Sequence, residues 1–539
     1  MAAKHYYVTT PIYYVNDNPH VGHATTTLYA DTLARFKRLD GFTVRFLTGT
    51  DEHGQKIAKA AEQAGVAPKE FVDRVSQKFR DMCDGLGLSE HYFMRTTYGY
   101  HARVVQAFFQ RLRDKGLFVK RTYEGLYCVA CEQGYSLSSL VDGKCPIHKT
   151  EPVKMNEENY FFKLSVFTDL MRQRLDDETR DRSKDVAGTI PNAMSLQPAT
   201  KRNEILGKLR EGLDDVSVTR KSVTWGVPVP GDESQVLYVW YDALINYVSS
   251  LMKDRVDETS TAAPDLDALI KADDFRNYWP TAVHLIGKEI LWHHSAIWWS
   301  MLAGADIPMP HTVYTHNWWT VEGEKLSKTL GNAIDAVELA KRYSRDAVRF
   351  YILRDGPNRS DADWRHEQFV NRINTELAGE LGNLLSRSLG MLEKYCAAVV
   401  PGAGSGNAGA KELEQIAKGL PNKLREAMDQ FAFPQALDAI WELVRRANRY
   451  VDETQPFKLA KDPAKRAELE TVMHSLLQTL RVLAHVLPPF LPDASEKMKA
   501  QLGIARETVG GLDEACCWSE AFRGVKTTKG EALFPRVEG

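Results

Sequence analysis

The 539-residue chain has no uninterrupted apolar run long enough to span a bilayer. Its first residues, MAAKHYYVTTPIYY, lack the charged start, apolar core and small-residue cleavage site of an export signal. Cysteine is scarce, since seven in a chain of this length are too few for a disulfide scaffold and suit a reducing compartment. We therefore expect a cytoplasmic protein without a membrane partner.

Neither sign of charge is in excess, because 69 basic and 71 acidic residues leave a formal net charge of −2. Local clusters of lysine and arginine govern phosphate binding, so this balance neither indicates nor excludes a nucleic-acid partner. The hydrophobic share of 43% is ordinary for globular proteins, so the chain can bury substantial cores. Because single cores stop growing at roughly 250 to 300 residues, we expect two to four domains.

The N-terminal part follows the order of elements that is typical of parallel α/β domains. Residues 5–14 are β-branched and aromatic, residues 16–19 predict a turn, and residues 24–39 have helical apolar spacing. A second apolar run at 44–47 leads into the polar residues 50–54. Open α/β sheets bind ligands at the carboxyl ends of their strands, so we expect a site at these turns.

Later segments indicate an interrupted sheet and a helical C-terminal part. Residues 115–225 contain cysteines, turn residues and a charged helix-like stretch, and strand-like character resumes at 238–240 and 284–287. From Asp363 onward, nearly every segment has helical apolar spacing. The Pro- and Gly-containing tract at 401–406 follows no strand, so we interpret it as a loop between helices and not as a phosphate cradle.

Two histidines open the first predicted helix. His20 and His23 lie one helical turn apart, and Gly22 between them lets a flat base approach the backbone. A helix N-terminus adds partial positive charge and free N–H groups, which suits the phosphates of ATP. Taken alone, two solvated histidines beside a turn are the simpler interpretation.

A second candidate phosphate site is a loop with two lysines, Lys325 and Lys328. Gly323 and Gly331 flank the loop, which would let it close over a triphosphate and stabilise the charge on a leaving pyrophosphate. Taken alone, a solvated loop is again the simpler interpretation, because so short a string often arises by chance.

Two segments place apolar and aromatic side chains at helical spacing. They are Trp240, Ala243, Leu244 and Tyr247 in the first, and Ile290, His294 and Trp298 in the second. Ordinary core packing explains most such stripes, so the spacing by itself does not separate a core from a pocket.

Four residues with metal-binding side chains occur as two close pairs within the interrupting segment. Cys128 and Cys131 form one pair, and Cys145 and His148 form the other. Ligands of this kind at this spacing are typical of tetrahedral zinc, so we predict one structural Zn²⁺ per chain. The alternative is that the cysteines are free buried thiols.

The histidine motif and the lysine loop, in this order and on either side of a split α/β domain, resemble the two signatures of class I aminoacyl-tRNA synthetases. The chain departs from the family's Lys-Met-Ser-Lys-Ser form at Leu326 and Thr329, while both lysines and Ser327 remain. The resemblance implies four catalytic residues, which are His20, His23, Lys325 and Lys328.

Four further segments are similar to those of methionyl-tRNA synthetases, and the match runs over nearly the whole chain. They are residues 11–14 (PIYY), 49–54 (GTDEHG), 238–243 (YVWYDA) and 287–290 (GKEI). The resemblance implies activation of L-methionine with ATP and Mg²⁺ to methionyl-adenylate, followed by transfer to the 3′ end of methionine tRNA.

The implied architecture is α/β, with a Rossmann-like parallel-sheet catalytic domain split by a zinc-knuckle insertion and followed by an α-helical anticodon-binding domain. The expected boundaries are 1–114 and 226–318 for the catalytic domain, 115–225 for the insertion, 319–362 for a stem-contact region with the lysine loop, and 363–539 for the helical domain. Some relatives extend into a further C-terminal dimerisation module, whereas this sequence ends soon after the predicted helical domain. We therefore expect a monomer.

The resemblance also assigns residues to the two substrates. The residues expected around methionine are Ile12, Tyr14, Asp51, Trp240, Ala243, Leu244, Tyr247, Ile290, His294 and Trp298. The residues expected around ATP are His20, Gly22, His23, Gly287, Glu289, Lys325 and Lys328. Asp51 would pair with the α-ammonium group, and aromatic walls suit a polarisable thioether. A strand-end aspartate such as Asp51 could instead cap the following helix.

A further set of residues is expected to read the anticodon of the tRNA. Asn383 and Arg387 lie four residues apart on one helical face, and by resemblance they contact anticodon bases together with Phe457. Tryptophan is usual in the family where this chain has Phe457, so stacking on a base should persist with a smaller area. The alternative for Asn383 and Arg387 is a polar outer helix face.

Other functions fit parts of the pattern. A small-molecule nucleotidyltransferase would share the His-x-Gly-His chemistry but would not need a helical C-terminal third. A second alternative is a tRNA-binding factor derived from a synthetase that has lost its activity. Such a factor would be favoured if the lysine loop or Asp51 were missing, but this sequence contains both. Cysteinyl, leucyl, isoleucyl and valyl synthetases are nearer alternatives, although the last three usually carry a larger editing insertion than residues 115–225.

Overall fold

Strand β1 (Lys4–Thr9) lies in the middle of a parallel sheet. The computed structural model of the chain describes residues 4–538 except residues 17, 129–132, 136, 147–148, 177–194, 261, 327–332 and 405. Within these ranges, no helix is both long and apolar enough to cross a membrane.

The first part of the chain alternates strands and helices as the sequence predicts. Its elements are β1 (Lys4–Thr9), β2 (Tyr13–Tyr14), α1 (Val21–Leu39), β3 (Phe42–Asp51), α2 (Gln55–Gln63), α3 (Pro68–Gly85), β4 (Tyr92–Arg95) and α4 (Gly99–Asp114). Helix α1 begins three residues before the predicted start because the His20 side chain accepts the Gly22 N–H and caps the helix. Gly41 makes the turn into β3 with a φ of 86°.

The interrupting segment contains an antiparallel sheet. Its elements are β5 (Phe118–Cys128), β6 (Gln133–Tyr135), β7 (Val153–Phe162), α5 (Thr168–Asp176), β8 (Ser195–Gln197), α6 (Ala199–Arg210), β9 (Val216–Ser217) and β10 (Thr219–Arg220). Strand β5 pairs antiparallel with β6 and with β7, and β9 continues the sheet beyond β7.

The chain then returns to the main sheet. The elements are β11 (Pro228–Val229), β12 (Asp232–Leu237), α7 (Val239–Leu244), α8 (Asn246–Ser249), α9 (Leu266–Ile270), α10 (Asp273–Tyr278), β13 (Ala282–Gly287), α11 (Trp298–Gly304) and β14 (Thr312–His316). Residues 284–287 form a strand as expected. The prediction that residues 238–240 form a strand is wrong, because β12 ends at Leu237 and helix α7 starts at Val239.

A short connecting region follows, with a hairpin and two helices. Its elements are β15 (Trp319–Val321), β16 (Glu324–Lys325), α12 (Ala336–Arg342), α13 (Arg345–Asp355) and β17 (Ala362–Asp363). The turn of the hairpin places Glu322 and Gly323 at positive φ, which explains the glycine at this position. The hairpin carries the start of the predicted lysine loop.

The rest of the chain is helical as predicted. Its elements are α14 (His366–Arg372), a π-helical segment (Ile373–Gly382), α15 (Asn383–Cys396), α16 (Ala408–Asp429), α17 (Phe433–Thr454), α18 (Pro456–Leu459), α19 (Arg466–Val486), α20 (Pro492–Leu502) and α21 (Leu512–Ala515). The described residues of the tract at 401–406 lie between α15 and α16 and are not helical, so the loop interpretation is confirmed.

The main sheet has the strand order β2-β3-β1-β13-β14-β8, with β4 paired to β3, and every pairing is parallel. Strand β8 pairs with β14, with Ser195 opposite Thr312. The structure therefore places part of the predicted insertion, residues 195–197, at the edge of the main sheet. A strand of three residues is too short for its apolar spacing to reveal from the sequence that the chain returns to the sheet here.

Candidate functional site

Residues from distant parts of the chain meet in a cavity of about 480 Å³. The cavity lies at the carboxyl ends of β1, β3, β13 and β14, where side chains from neighbouring parallel strands converge. Nine of the ten residues predicted to surround methionine line it, namely Ile12, Tyr14, Asp51, Trp240, Ala243, Leu244, Tyr247, Ile290 and His294. His20, Gly22, His23, Gly287 and Glu289 of the predicted ATP set line the same cavity.

One wall of the cavity is aromatic and is fixed by buried hydrogen bonds. The Nδ1 of His294 donates to the carbonyl of Ile290 at 2.9 Å, so its Nε2 accepts from the Tyr247 hydroxyl at 2.7 Å. Trp240 stacks on His293 with ring centroids 4.0 Å apart. The wall is therefore held in one arrangement before any ligand enters.

The imidazoles of this wall carry no charge at neutral pH. Burial lowers the pKa of His294 to about 4 and that of His293 to about 3, because a charged ring would lose its hydration. Burial also lowers the pKa of His284, which stacks on Tyr247, well below its usual range. A neutral, polarisable wall suits an uncharged apolar side chain.

Trp298 is the predicted methionine residue that does not line the cavity. A π-helical turn spans His293–Ile297, between Ile290 and Trp298, and widens the spacing that a regular α-helix would give. Trp298 consequently turns into the core, fully buried, with its ring 6.1 Å from that of Tyr247. It supports the wall from behind.

Asp51 supplies one of the two carboxylates among the described residues that line the cavity, and Glu289 supplies the other. It ends β3, is 4% exposed, and its backbone pairs with that of Tyr14. The Tyr14 hydroxyl donates to the carbonyl of His53 at 3.0 Å. Gly54, and not Asp51, precedes α2, which has no side-chain cap, so the helix-capping alternative for Asp51 does not hold.

The N-terminus of α1 forms another side of the cavity. The Nδ1 of His20 accepts from the Gly22 N–H at 3.1 Å, and the Nδ1 of His23 accepts from the His20 N–H at 3.2 Å. The two rings lie 4.0 Å apart and tilt by 32°. These reciprocal bonds fix both imidazoles at a helix end, which attracts anions.

Gly287 and Glu289 lie where β13 ends. A Cβ on Gly287 would come within 2.5 Å of the Glu289 carboxylate, so any side chain at this position would displace that carboxylate. The indole N–H of Trp318 donates to Glu289 at 2.6 Å, and Lys288 pairs with Asp361 at 2.6 Å. The turn after β13 is thereby anchored to the segment that follows β14 and to the segment that precedes β17.

The lysine loop is described only at its start. The backbone of Lys325 pairs with Thr320 in the hairpin of β15 and β16, and Leu326 lines the cavity. The side chain of Lys325 and all of Lys328 lie outside the described residues.

Several cavity residues were not identified from the sequence. They are Pro11, Tyr13, Thr26, Lys56, Asn246, His293, His316, Asn317, Trp318, Trp319 and Leu326. His316 ends β14, so the strand-end reasoning that located residues 50–54 would have located it too. His293 was missed because α-helical spacing places it off the face of His294, whereas the π-helical turn brings both to the cavity.

The predicted zinc ligands are described in part. Cys128 and Cys145 are buried and form no disulfide, while Cys131 and His148 lie outside the described residues. Thr150 brings the two cysteines together, because its hydroxyl is 3.6 Å from the Cys128 sulfur and its carbonyl accepts the Cys145 N–H at 2.9 Å. Within the described ranges, no group of three or more ligand residues is placed to hold a metal ion.

The predicted anticodon residues lie on the helical domain where α15 begins and α17 ends. Arg387 on α15 donates to Asp452 on α17 at 3.1 Å, and Asn383 is exposed at the start of α15. Phe457, in α18 directly after α17, is 43% exposed. Phe457 follows the Asp452 partner of Arg387 by five positions, and an exposed ring, a guanidinium and an amide are suitable groups for contacting unstacked bases.

The cavity combines two chemistries. Asp51 and a neutral aromatic wall can hold a zwitterionic amino acid with an apolar side chain. The N-terminus of α1 and the turn after β13 can hold a phosphate-bearing nucleotide.

Two family profiles match the chain. One, described as tRNA synthetases class I (M), matches residues 6–151 and 130–389, and the other, described as the anticodon binding domain of methionyl tRNA ligase, matches residues 400–539. Methionine–tRNA ligase of Caldanaerobacter subterraneus subsp. tengcongensis is 41% identical over 535 residues, which is 99% of this chain and 79% of that protein. The enzyme of Clostridium perfringens is 41% identical over 539 residues, which is 100% of this chain and 79% of that protein.

Solved structures agree with these matches. Mycobacterium tuberculosis methionyl-tRNA synthetase bound by methionyl-adenylate superimposes with a TM-score of 0.89 at 35% identity, covering 99% of this chain and 100% of that one. The apo form of the same enzyme gives a TM-score of 0.84 at 32% identity, covering 100% of this chain and 99% of that one.

Proposed function

The chain belongs to the methionyl-tRNA ligase family of class I tRNA synthetases, and we propose that the cavity at the ends of β1, β3, β13 and β14 is its adenylate-forming site. The protein is an aminoacyl-tRNA ligase that activates L-methionine with ATP to methionyl-adenylate and transfers the methionyl group to the 3′ end of methionine tRNA.

The first step joins methionine to AMP. An oxygen of the methionine carboxylate forms a bond to the α-phosphorus of ATP, and the bond from that phosphorus to the leaving pyrophosphate breaks. A carboxylate is ionised at neutral pH, so the step needs no general base. ATP enters as its Mg²⁺ complex. In the second step a ribose hydroxyl of the terminal tRNA nucleotide attacks the acyl carbon, and AMP leaves.

Methionine lies between Asp51 and the aromatic wall in this proposal. The Asp51 carboxylate pairs with the α-ammonium group. The thioether lies against Trp240, Tyr247 and His294, with Ile12, Tyr14, Ala243, Leu244 and Ile290 around it and Trp298 behind Tyr247. Sulfur–ring contacts and the neutral imidazoles favour this side chain over a charged one.

ATP lies along the N-terminus of α1, with adenosine near Gly287 and Glu289. His20 and His23 position the phosphates and donate hydrogen bonds to them; they take no proton from methionine. Lys325 and Lys328 neutralise the charge that develops as pyrophosphate leaves, and this charge is largest in the transition state.

The helical domain selects the tRNA. Asn383, Arg387 and Phe457 contact the anticodon, because the adenylate site cannot itself inspect a distant loop of the tRNA. The exposure of the Phe457 ring, and the bond of Arg387 to Asp452 five positions before that ring, support this assignment. The domain boundaries that we propose are those expected above, with residues 195–197 assigned to the catalytic sheet.

The zinc knuckle is structural in our proposal. Cys128 and Cys145 fit the donor set, since both are buried, neither is in a disulfide, and Thr150 holds them close to one another. With Cys131 and His148 they would hold one Zn²⁺ as a closed four-ligand site, which supplies fold and no chemistry. We also place the enzyme in the cytoplasm and propose that it is a monomer.

A single observation carries the assignment of the site: Asp51, Trp240 and His20, from three distant parts of the chain, line one cavity.

ATP–pyrophosphate exchange with each standard amino acid tests this assignment. We expect rapid exchange with methionine alone, and about a tenfold or larger rise in the methionine KM for Asp51→Ala, since an ammonium group would lose a charged partner. Asp81→Ala, at an exposed position on α3, is the matched control. Equal exchange with leucine or cysteine would contradict the assignment.

A further inference from the structure

A buried carboxylate lies behind the methionine wall and is not part of it. Asp242 is fully buried in α7 and does not line the cavity. One of its oxygens lies 2.5 Å from Nδ1 of His53, and the other lies 2.8 Å from Nε2 of His101. The second ring nitrogen of His101 lies 2.8 Å from the Ser249 hydroxyl, which completes the network.

The network joins the two sides of the methionine pocket. His53 lies two residues after Asp51, and its carbonyl accepts the Tyr14 hydroxyl. Asp242 lies between Trp240 and Ala243, both of which line the cavity. The contact between His53 and Asp242 therefore connects the end of β3, which carries Asp51, directly to α7, which carries Trp240. We call this contact the tie.

The tie is strong because it is charged and excluded from water. Burial opposes ionisation of Asp242, but the two imidazoles hold its pKa at about 2, so the carboxylate is charged at neutral pH. A buried carboxylate that is bonded through both oxygens has one low-energy geometry, since a displacement leaves a donor or the carboxylate unpaired. Such a network fixes a distance better than apolar packing does.

We propose that Asp242 is a positioning residue for methionine, which acts through His53 to set the separation between Asp51 and the wall of Trp240, Ala243 and Leu244. The proposal rests on the function proposed above for Asp51 and Trp240. A fixed separation holds an unbranched side chain and its ammonium group at once, whereas a loosened pocket also accommodates branched chains such as leucine. A small misplacement of such groups is costly to binding and rate.

The side of the cavity that we assign to ATP provides a comparison for the methionine side within the same protein. Gly287 and Glu289, on that side, make no hydrogen bond to Asp242, His53 or His101 within the described ranges. Loss of the tie should consequently change the KM for methionine and leave the KM for ATP near its parent value. A general loss of folding would move both.

The test is ATP–pyrophosphate exchange by the full-length enzyme with Asp242→Asn and, separately, His53→Gln. We expect each variant to raise the methionine KM about tenfold, to leave the ATP KM within about twofold, and to lower the preference for methionine over leucine. The double variant should be little worse than either single one, because both remove the same tie. His53→Gln keeps the test available if Asp242→Asn does not fold.

Asp346→Asn is the matched control. Asp346 is also a fully buried carboxylate, but its hydrogen bonds go to the backbone of Asp493 and Ala494, where α13 meets α20. We expect it to change stability without changing the methionine KM. A methionine KM within twofold of the parent in both test variants, or a parallel rise in both KM values, would overturn the role of Asp242. Asp51→Ala separates the two proposals, since an unchanged methionine KM for that variant would overturn the site itself.

Discussion

The guanidinium of Arg349 lies 2.7 Å from the carboxylate of Asp31, and both side chains are completely excluded from solvent. Asp31 is on α1, the helix that begins at the histidine motif, and Arg349 is on α13. Arg349 also donates to the carbonyl of Pro489 at 2.8 Å, just before α20. One side chain therefore joins α1 to the segment that leads into α20 of the helical domain.

Replacement of Arg349 should destabilise the protein strongly. Arg349→Met removes one of the two arginines that pair with the buried Asp31 carboxylate, and Arg35 remains 2.8 Å from it. Loss of a partner from a buried pair costs about 3 to 5 kcal/mol, and the remaining Arg35 places the expected loss towards the lower end of that range. Denaturant titration followed by tryptophan fluorescence should show a lower midpoint than the parent. Lys341→Met, which breaks an exposed pair with Glu338, should leave the midpoint unchanged. Equal midpoints for Arg349→Met and the parent would show that the pair contributes nothing net.

Protonation of His294 should make the protein less stable in mild acid. Its folded pKa of about 4 lies below the ordinary 6.5, so the unfolded chain binds the proton more tightly between these values. Stability is unaffected above pH 6.5 and falls as the pH drops towards 4, by up to about 3 kcal/mol. His294→Gln should lose less stability than the parent between pH 7.5 and pH 5 in thermal melts. A parallel decline in both proteins would assign the acid sensitivity to other groups.

Lys328→Ala should slow adenylate formation more than it weakens methionine binding. The lysine charge is needed most as pyrophosphate leaves, so its loss is felt mainly in the transition state. Rapid-quench measurement of the first turnover, with the methionine dissociation constant determined separately, distinguishes the two effects. A parent-like rate would remove this lysine from the mechanism.

One zinc ion per chain should be present in the purified enzyme. Zinc is expected to stabilise the fold around Cys128 and Cys145, since closed four-ligand sites contribute folding free energy. Elemental analysis should find one equivalent in the parent and much less in Cys145→Ala. Cys517→Ala, which replaces an exposed cysteine elsewhere, is the control and should keep the full equivalent. Full zinc content in Cys145→Ala would show that this cysteine is a simple thiol.

Anticodon variants should separate charging of tRNA from activation of methionine. Arg387→Ala and Phe457→Ala remove a guanidinium and an exposed ring, and each stacked base is worth about 1 to 3 kcal/mol. Aminoacylation of tRNA with the anticodon CAU should fall roughly tenfold or more, with ATP–pyrophosphate exchange nearly intact. Arg466→Ala, on another exposed face of the helical domain, is the control. Parent-like charging by both test variants would mean that the anticodon is read elsewhere.

The sequence predicted the order of elements and most of the cavity. Helix α1 was located because its apolar spacing is regular, and fourteen of the residues that line the cavity were named by resemblance. Predictions from apolar spacing were wrong where the local backbone does not follow the pattern that the spacing indicates. Residues 238–240 contain β-propensity residues, yet tertiary packing places Trp240 in a helix, and the π-helical turn before Trp298 changed which face that residue occupies.

Contacts between distant segments were beyond sequence reasoning. Nothing in the spacing of His53, His101 and Asp242 indicates that they share one buried network, because the three residues come from separate elements. The short strand β8 could not be predicted for the same reason, since the strand that pairs with it among the described residues, β14, lies far along the chain. Such pairings are decided by the fold as a whole and not by any local window.

The place of β1 in the sheet has a consequence for how the enzyme is made. Thr9 of β1 bonds to His284 of β13, 275 positions later in the chain. At about 5 to 20 residues per second, a ribosome needs roughly fifteen seconds to a minute to synthesise that interval. Throughout this time one edge of β1 has no strand beside it, and an open edge is a template for pairing with other chains. We therefore expect the nascent N-terminal half to depend on chaperones until β13 leaves the ribosome.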